Sequence, residues 1–253
     1  MRVQRSQIPM KTEKTVTEAI AYRRSVRIYK PDEEIDTDVV KQCLENAALA
    51  PTSSNLQLWE FYHITSKDVQ KKISAACFNQ PAAKTAKQLV VIVARKKLWR
   101  TRAKANLNFL KKSFGDKPIE KYDSKEKFAI SYYKKLIPSL YFDFFGILGL
   151  LRYFVFFMVG LFKPAYRQVR HSDMRIVAHK SAALAAQNFM ISMAAIGYDT
   201  CPMEGSDTLR IKRILGLPGS AEINMVIACG VRDPEGVYGP RFRIPFKQVY
   251  KEI

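Results

Sequence analysis

The segment Gln88-Leu89-Val90-Val91-Ile92-Val93-Ala94 limits what this 253-residue chain can fold into more than any other. A continuous run of apolar and β-branched residues has no polar face to turn to water. It reads as a strand buried on both sides, at the centre of a sheet. Trp59 to Ile64 and Ile223 to Cys229 read as further strands. Between these runs the pattern is that of helices. Thr15-Val16-Thr17-Glu18 is a capping box that opens a helix over about residues 16–25, stopping before Lys30-Pro31. Thr37 to Leu49 carries Val39, Val40, Cys43, Leu44 and Ala47 on one face and breaks at Ala50-Pro51. Helices are also expected over 67–77, over about Asp173 to Ile196 with Gly197 as the stop, and over 207–215. The stretch from Thr200 to Gly205 reads as a connection. Strands interleaved with helices imply a layered α+β or α/β domain. No linker or internal repeat divides residues 1–253, so the expectation is a single domain, with about 96–170 as an insertion or lid.

Charge narrows the function classes without choosing one. Forty-two Lys/Arg against 23 Asp/Glu give a net charge of +19. That excess draws the chain toward nucleic acid, a membrane surface or a phosphorylated ligand. Cys43, Cys77, Cys201 and Cys229 form no CxxC pair and the three histidines form no HExxH, so no metal site is expected. Buried, unpaired thiols in a reducing cytoplasm are the expectation. MRVQRSQIPMKTEK has no apolar core segment and does not read as a secretion signal. GxGxxG, GxxxxGK[ST] and GxSxG are all missing, which leaves a Rossmann site, a P-loop and a nucleophile elbow without support.

What remains is a set of dispersed arginines and polar loops. Arg23, Arg24 and Arg27 suit a guanidinium clamp on a phosphate, although taken alone such residues more often complement a helix dipole and face water. Arg241 and Arg243 alternate by two and would share one side of an extended segment, as on any solvated edge strand. The order of the pieces is more specific than any one of them. RRSVR after a capped helix, APTSSNLQLW after the second helix, CPMEGSD after the long helix and a C-terminal RFR together resemble the nitroreductase family of FMN-dependent oxidoreductases. The resemblance covers roughly residues 15–95 and 173–250.

The resemblance implies an α+β nitroreductase-like fold, with a central, mainly antiparallel sheet flanked by helices, in an intertwined homodimer. It implies FMN as cofactor and NADH or NADPH as reductant. Arg23, Ser25 and Arg27 would grip the phosphate or the polar edge of the flavin, and Arg241 and Arg243 would close the phosphate site. Pro51, Thr52, Ser53 and Asn55 would reach the flavin bound mainly by the other subunit. Asn79 and Gln80 would meet its pyrimidine edge. Pro202, Met203, Glu204 and Gly205 would form the loop whose backbone N–H faces flavin N5. No side chain is assigned as a catalytic acid or base; only the backbone of Glu204 and Gly205 stands at the reacting atom. Ala82 occupies a position where some members have a lysine, leaving Arg27 or Lys84 to supply the cation. Cys201 reads as a buried thiol, and His179 as part of a closely packed helix, as at a dimer interface.

The implied activity is ping-pong transfer of hydride from NAD(P)H to an electron-poor small molecule of nitroaromatic or quinone type. One alternative is a specialised flavoenzyme of the same fold, performing reductive dehalogenation or flavin fragmentation. Another is a cofactor-free basic protein that binds membrane or nucleic acid. The basic stretch 95–135 holds few aromatics (Trp99, Phe109, Phe114), which argues against nucleic acid as a partner. Residues 136–162 are apolar, but Asp143, Arg152, Pro138 and three glycines interrupt them, so a spanning helix is not expected. The block reads as a lid, as a dimer interface, or as a peripheral membrane contact through 137–163. The expected location is cytoplasmic, with membrane association as the variant of that reading.

Overall fold

The structure, a computed structural model, describes residues 13–115 and 117–253. Most of the N-terminal segment read for a secretion signal lies outside the described residues. The helices are α1 (Val16–Tyr22), α2 (Thr37–Ala47), α3 (Lys67–Ala76), α4 (Pro81–Thr85), α5 (Trp99–Ser113) and α6 (Ser124–Ser131). They continue with α7 (Ile137–Tyr141), α8 (Ile147–Val159), α9 (His171–Ala195), α10 (Thr208–Ile214) and α11 (Phe246–Val249). The strands are β1 (Trp59–Ile64), β2 (Gln88–Ala94), β3 (Asp199–Met203) and β4 (Glu222–Gly230). They form one sheet in the order β1-β2-β4-β3, every neighbouring pair antiparallel. Helices plus this sheet make the expected α+β class.

Both faces of the sheet are covered, which is why β2 has no polar side. Val90, Ile92 and Ala94 pack with Ile227 and Cys229 against α2 and α9, where Phe189 and Met193 are fully buried. Leu89, Val91 and Val93 point the other way and pack with Val226 and Ala228 against α3, α4 and α10. The period of two along one strand thus feeds two cores.

Several boundaries differ from the sequence reading. α1 ends at Tyr22 rather than near residue 25, because Arg23 is extended (ψ 125°) and its neighbours pair with a strand. The capping box itself is present: the Thr15 side chain accepts from Glu18 N, and Thr15 N donates to Glu18 Oε2. α2 stops at Ala47, and α9 begins at His171. The Thr200–Gly205 stretch is a correction: most of it is β3, a short edge strand that carries Pro202. Such an edge position tolerates a proline, which has no N–H to give a ladder. The segment between β2 and α9 is helical, and includes a π-helical turn at Tyr132–Leu136.

Candidate functional site

The end of α1 and the C-terminal segment meet in a cleft. After Arg23 the chain forms a parallel bridge from Ser25 to Thr200 on β3, with Val26 N donating to Thr200 O at 3.2 Å. Arg27 N then donates to Gly236 O at 2.6 Å, and Asp233 N to Ile28 O at 3.1 Å. These bonds bring residues 23–28 alongside both β3 and the turn after β4. The cleft so formed measures about 280 Å³ and is lined by Arg23, Arg24, Ser25, Arg27, Arg241 and Arg243 together with Val237, Tyr238, Pro240 and Phe242. Two of its arginines also brace it: Arg241 Nη2 donates to Ala21 O (2.8 Å) and Arg23 O (2.5 Å), and Arg24 Nη2 to Gly239 O (2.9 Å).

No carboxylate lines this cleft among the described residues. Burial, and then the neighbouring Arg241 and Arg243, push the Arg23 guanidinium below its ordinary value. Like charges gathered without a counter-charge are electrostatically costly, and an anion placed among them removes that cost. Chemically, such a cleft suits an anion with several acceptor oxygens, such as a phosphate monoester.

Outside the cleft lining, an ion pair with a buried carboxylate ties β3 to Arg232, just after β4, and to the end of α1. Asp199 is 2% exposed and accepts from Arg232 Nη2 at 2.5 Å, Arg232 Nε at 2.9 Å and Arg232 N at 2.9 Å. The same guanidinium lies 4.1 Å from the centroid of the Tyr22 ring, at the last turn of α1. Burial, reinforced by Asp199, raises the Tyr22 hydroxyl. Sequence reasoning missed this pair, since nothing in Asp199-Thr200 or Val231-Arg232 signals that they face each other.

The remaining expected residues fall into two further groups. Gln80 Nε2 donates to Gly205 O at 2.8 Å, and Asp207 N to Ala76 O at 2.7 Å, so the turn after α3 and the loop after β3 are joined. Glu204 and Gly205 are exposed there, Met203 is buried and Pro202 half-buried. Cys201 is fully buried, and burial raises its thiol against the opposing pull of Arg27 and Arg23. Ala82 faces the core, while Lys84 is exposed. Pro51, Thr52, Ser53 and Asn55 do not line the arginine cleft. Their loop is tied to the helical segment between β2 and α9 instead: Asn55 Nδ2 donates to Asn106 Oδ1 (2.8 Å), Ser54 Oγ and Tyr132 OH share a 2.7 Å bond, and Tyr133 OH donates to Ser54 O (3.0 Å). His179 belongs to a polar cluster with Glu222 (3.2 Å) and Asn224 (3.1 Å).

Backbone strain marks the same loops. Left-handed φ values at non-glycine residues occur, among the described residues, at Ser54, Asn55, Gln57, Phe78, Asn79 and Phe145. Five of those six belong to the two loops already singled out, Thr52–Gln57 and Phe78–Gln80. Each such residue costs of order 1 kcal/mol or more and persists only where surrounding contacts hold it.

A sequence profile of the nitroreductase family matches residues 20–231 of this chain. Among individual relatives, the protein DrgA of Synechocystis is 27% identical over 216 residues, covering 85% of this chain and 83% of DrgA. The oxygen-insensitive NADPH nitroreductase of Helicobacter pylori is 24% identical, covering 76% of this chain and 75% of its own. Among solved structures, one from Exiguobacterium sibiricum, assigned as a nitroreductase and in complex with FMN, superposes with a TM-score of 0.68. It is 21% identical, and the match covers 96% of this chain and all of that one.

Proposed function

Since this chain belongs to the nitroreductase family, we propose that it is an FMN-dependent oxidoreductase whose arginine cleft holds the flavin phosphate. One observation carries the reading: Arg23, Arg27, Arg241 and Arg243, more than two hundred residues apart at the extremes, line a single cleft with no carboxylate among its described residues. Burial, and then the crowding by Arg241 and Arg243, already lower the Arg23 guanidinium, which fits a bound dianion better than an empty surface. Bound FMN supplies the chemistry, accepting hydride from NADH or NADPH and passing it to an electron-poor acceptor of nitroaromatic or quinone type.

The chain's own residues have positioning tasks. Arg23, Arg241 and Arg243 hold the phosphate, with Ser25 and Arg27 beside them. β3 bridges in parallel to Ser25 and leads into Glu204 and Gly205, whose backbone N–H groups would be the donors to the flavin ring. Gln80 fixes that loop through the Gly205 carbonyl. No side-chain acid or base is needed. The active unit is a homodimer in which the Pro51–Asn55 loop completes the partner's site, a reading supported by the absence of that loop from the lining of its own chain's arginine cleft.

The test is the visible spectrum of purified protein, followed by FMN titration of Arg241→Ala. A yellow preparation bleached by NADH or NADPH is expected, with FMN affinity in the variant lowered about tenfold or more, the scale of one charge-assisted bond. A colourless protein that takes up no added FMN overturns the proposal.

A further inference from the structure

Among the described residues no helix is long and apolar enough to cross a membrane, yet α8 presents a face that no element covers. Ile147, Leu150, Leu151, Phe154, Val155 and Met158 recur at three- and four-residue spacing, and all are exposed. An apolar stripe of that width ordinarily faces a protein core. Here the arrangement is inverted. The inward side of α8 carries Gly149, where a Cβ would stand 2.8 Å from His171 N, and Arg152, whose guanidinium donates to the carbonyls of Ser139 and Phe142 at 2.7 Å each. The outward side has no polar residue.

Both ends of α8 extend this surface. Phe145 stands before it in the left-handed region (φ 49°) with 92% of its surface exposed, stacked edge-on against Phe144. Leu161 and Phe162, also exposed, follow its last turn.

Cations border the face. Arg100 lies 5.4 Å from the Phe142 ring centroid and lines a small pocket with Lys96, Lys97 and Phe142. Arg170 lies 5.1 Å from the Tyr153 ring, and Arg167 Nη2 donates to Gly160 O at 2.6 Å. Residues 95–175 contain nineteen Lys/Arg against six Asp/Glu, most of the net charge of the whole chain. A second copy would cover the apolar stripe poorly, because a two-fold contact sets each basic border against a basic border. An anionic bilayer complements both the stripe and its rim. At 13 residues, α8 is about 20 Å long and too short for the hydrocarbon core, so it must lie in the interfacial plane.

We propose that residues 144–162 form a monotopic contact with an anionic lipid surface, α8 lying flat with its outward stripe among the acyl chains. The inference stands apart from the flavin reading. It is tested by flotation of the full chain at low salt with vesicles of phosphatidylcholine and phosphatidylglycerol in equal parts, and with phosphatidylcholine alone. Wild type is expected to float with the mixed vesicles and roughly tenfold less with neutral ones. L151E/F154E, at exposed positions, should abolish flotation while circular dichroism and FMN content stay unchanged. K97E/R100E/K163E, the last at the exposed residue that follows Phe162, leaves the stripe intact and should lower binding to mixed vesicles roughly tenfold, so the proposal stays testable if the first variant misfolds. Failure of wild type to float, or either folded variant floating as wild type does, overturns it. A change of oligomeric mass in L151E/F154E without lipid binding by wild type would assign the face to a second copy instead. Colourless protein that floats would count against the flavin alone.

Discussion

Asp199 shows what a single buried carboxylate can organise. It receives three hydrogen bonds from Arg232, and Arg232 in turn lies on Tyr22 and donates to Tyr22 O at 3.2 Å. Removing the carboxylate leaves a guanidinium with side-chain exposure of only 28% and no counter-charge. Asp199→Ala is therefore expected to lose about 3 kcal/mol in urea unfolding, at the lower end for broken buried pairs because Arg232 is partly wetted. Asp199→Asn, which keeps one acceptor, should lose less. Glu222 makes a different kind of prediction. Burial alone would raise its carboxyl, but hydrogen bonds from Arg175 and His179 outweigh that and hold it below the ordinary 4.5. A carboxyl depressed in the folded state binds protons more tightly when unfolded. Its stabilisation is thus fully present above the ordinary value and disappears as pH falls through the folded one. The melting temperature of Glu222→Gln should fall less steeply than that of wild type between about pH 5 and pH 3. Parallel slopes would show that the cluster contributes nothing in water.

Elements show how much of this fold can be read in advance. β1 and β2 keep their expected bounds because a half-buried or fully buried strand writes its burial directly into residue type. β3 was not legible. Five residues that include Pro202 carry little strand signal, and the element exists because β4 on one side and the Ser25 segment on the other give it partners. For the same reason α1 ends early: Arg23 is drawn out of the helix by a pairing that its own sequence does not mention. The arginines were legible as types and their convergence was not, since it depends on how closely two backbones approach. Gly236 sets that distance. A Cβ there would stand 2.9 Å from Asp233 O and closer still to Ile28 O, and both are backbone atoms that cannot swing aside. Gly236→Ala should therefore separate residues 25–28 from the turn after β4. The expected result is FMN affinity lowered at least tenfold with a destabilisation of about 1–3 kcal/mol, the range for overpacking. Unchanged affinity would mean that the cleft does not depend on this approach. The Thr52–Gln57 loop was legible as a polar break, but its latches, Asn106, Tyr132 and Tyr133, lie 51 to 79 residues further along the chain. The π-helical turn supplies both of those tyrosines, an irregularity that periodicity cannot announce.

At the scale of the whole molecule, the proposed site is divided between what one chain closes by itself and what it leaves open. The arginine cleft is lined by residues of one chain, and the strained, latched Thr52–Gln57 loop is not among them. The C-terminal segment leaves Phe242, Phe246 and Val249 exposed, apolar surface available for a partner subunit. If the loop serves the partner, damage to the cleft and damage to the loop must complement each other across subunits. Arg241→Glu removes the clamp of one chain's site, and Ser53→Trp, at an exposed position, blocks the site of the other. Each variant alone should form inactive dimers. Dissociated, mixed in equal parts and reassociated, half of the dimers carry one of each chain. In those, one site bears both lesions and the other bears neither, so activity should recover to about a quarter of wild type, as two-fold symmetry requires. A site contained within one chain predicts no recovery at all, since every chain in the mixture carries its own lesion into its own site. The assay therefore separates a shared site from a private one without knowledge of the natural acceptor, because any reducible dye that wild type accepts will report it.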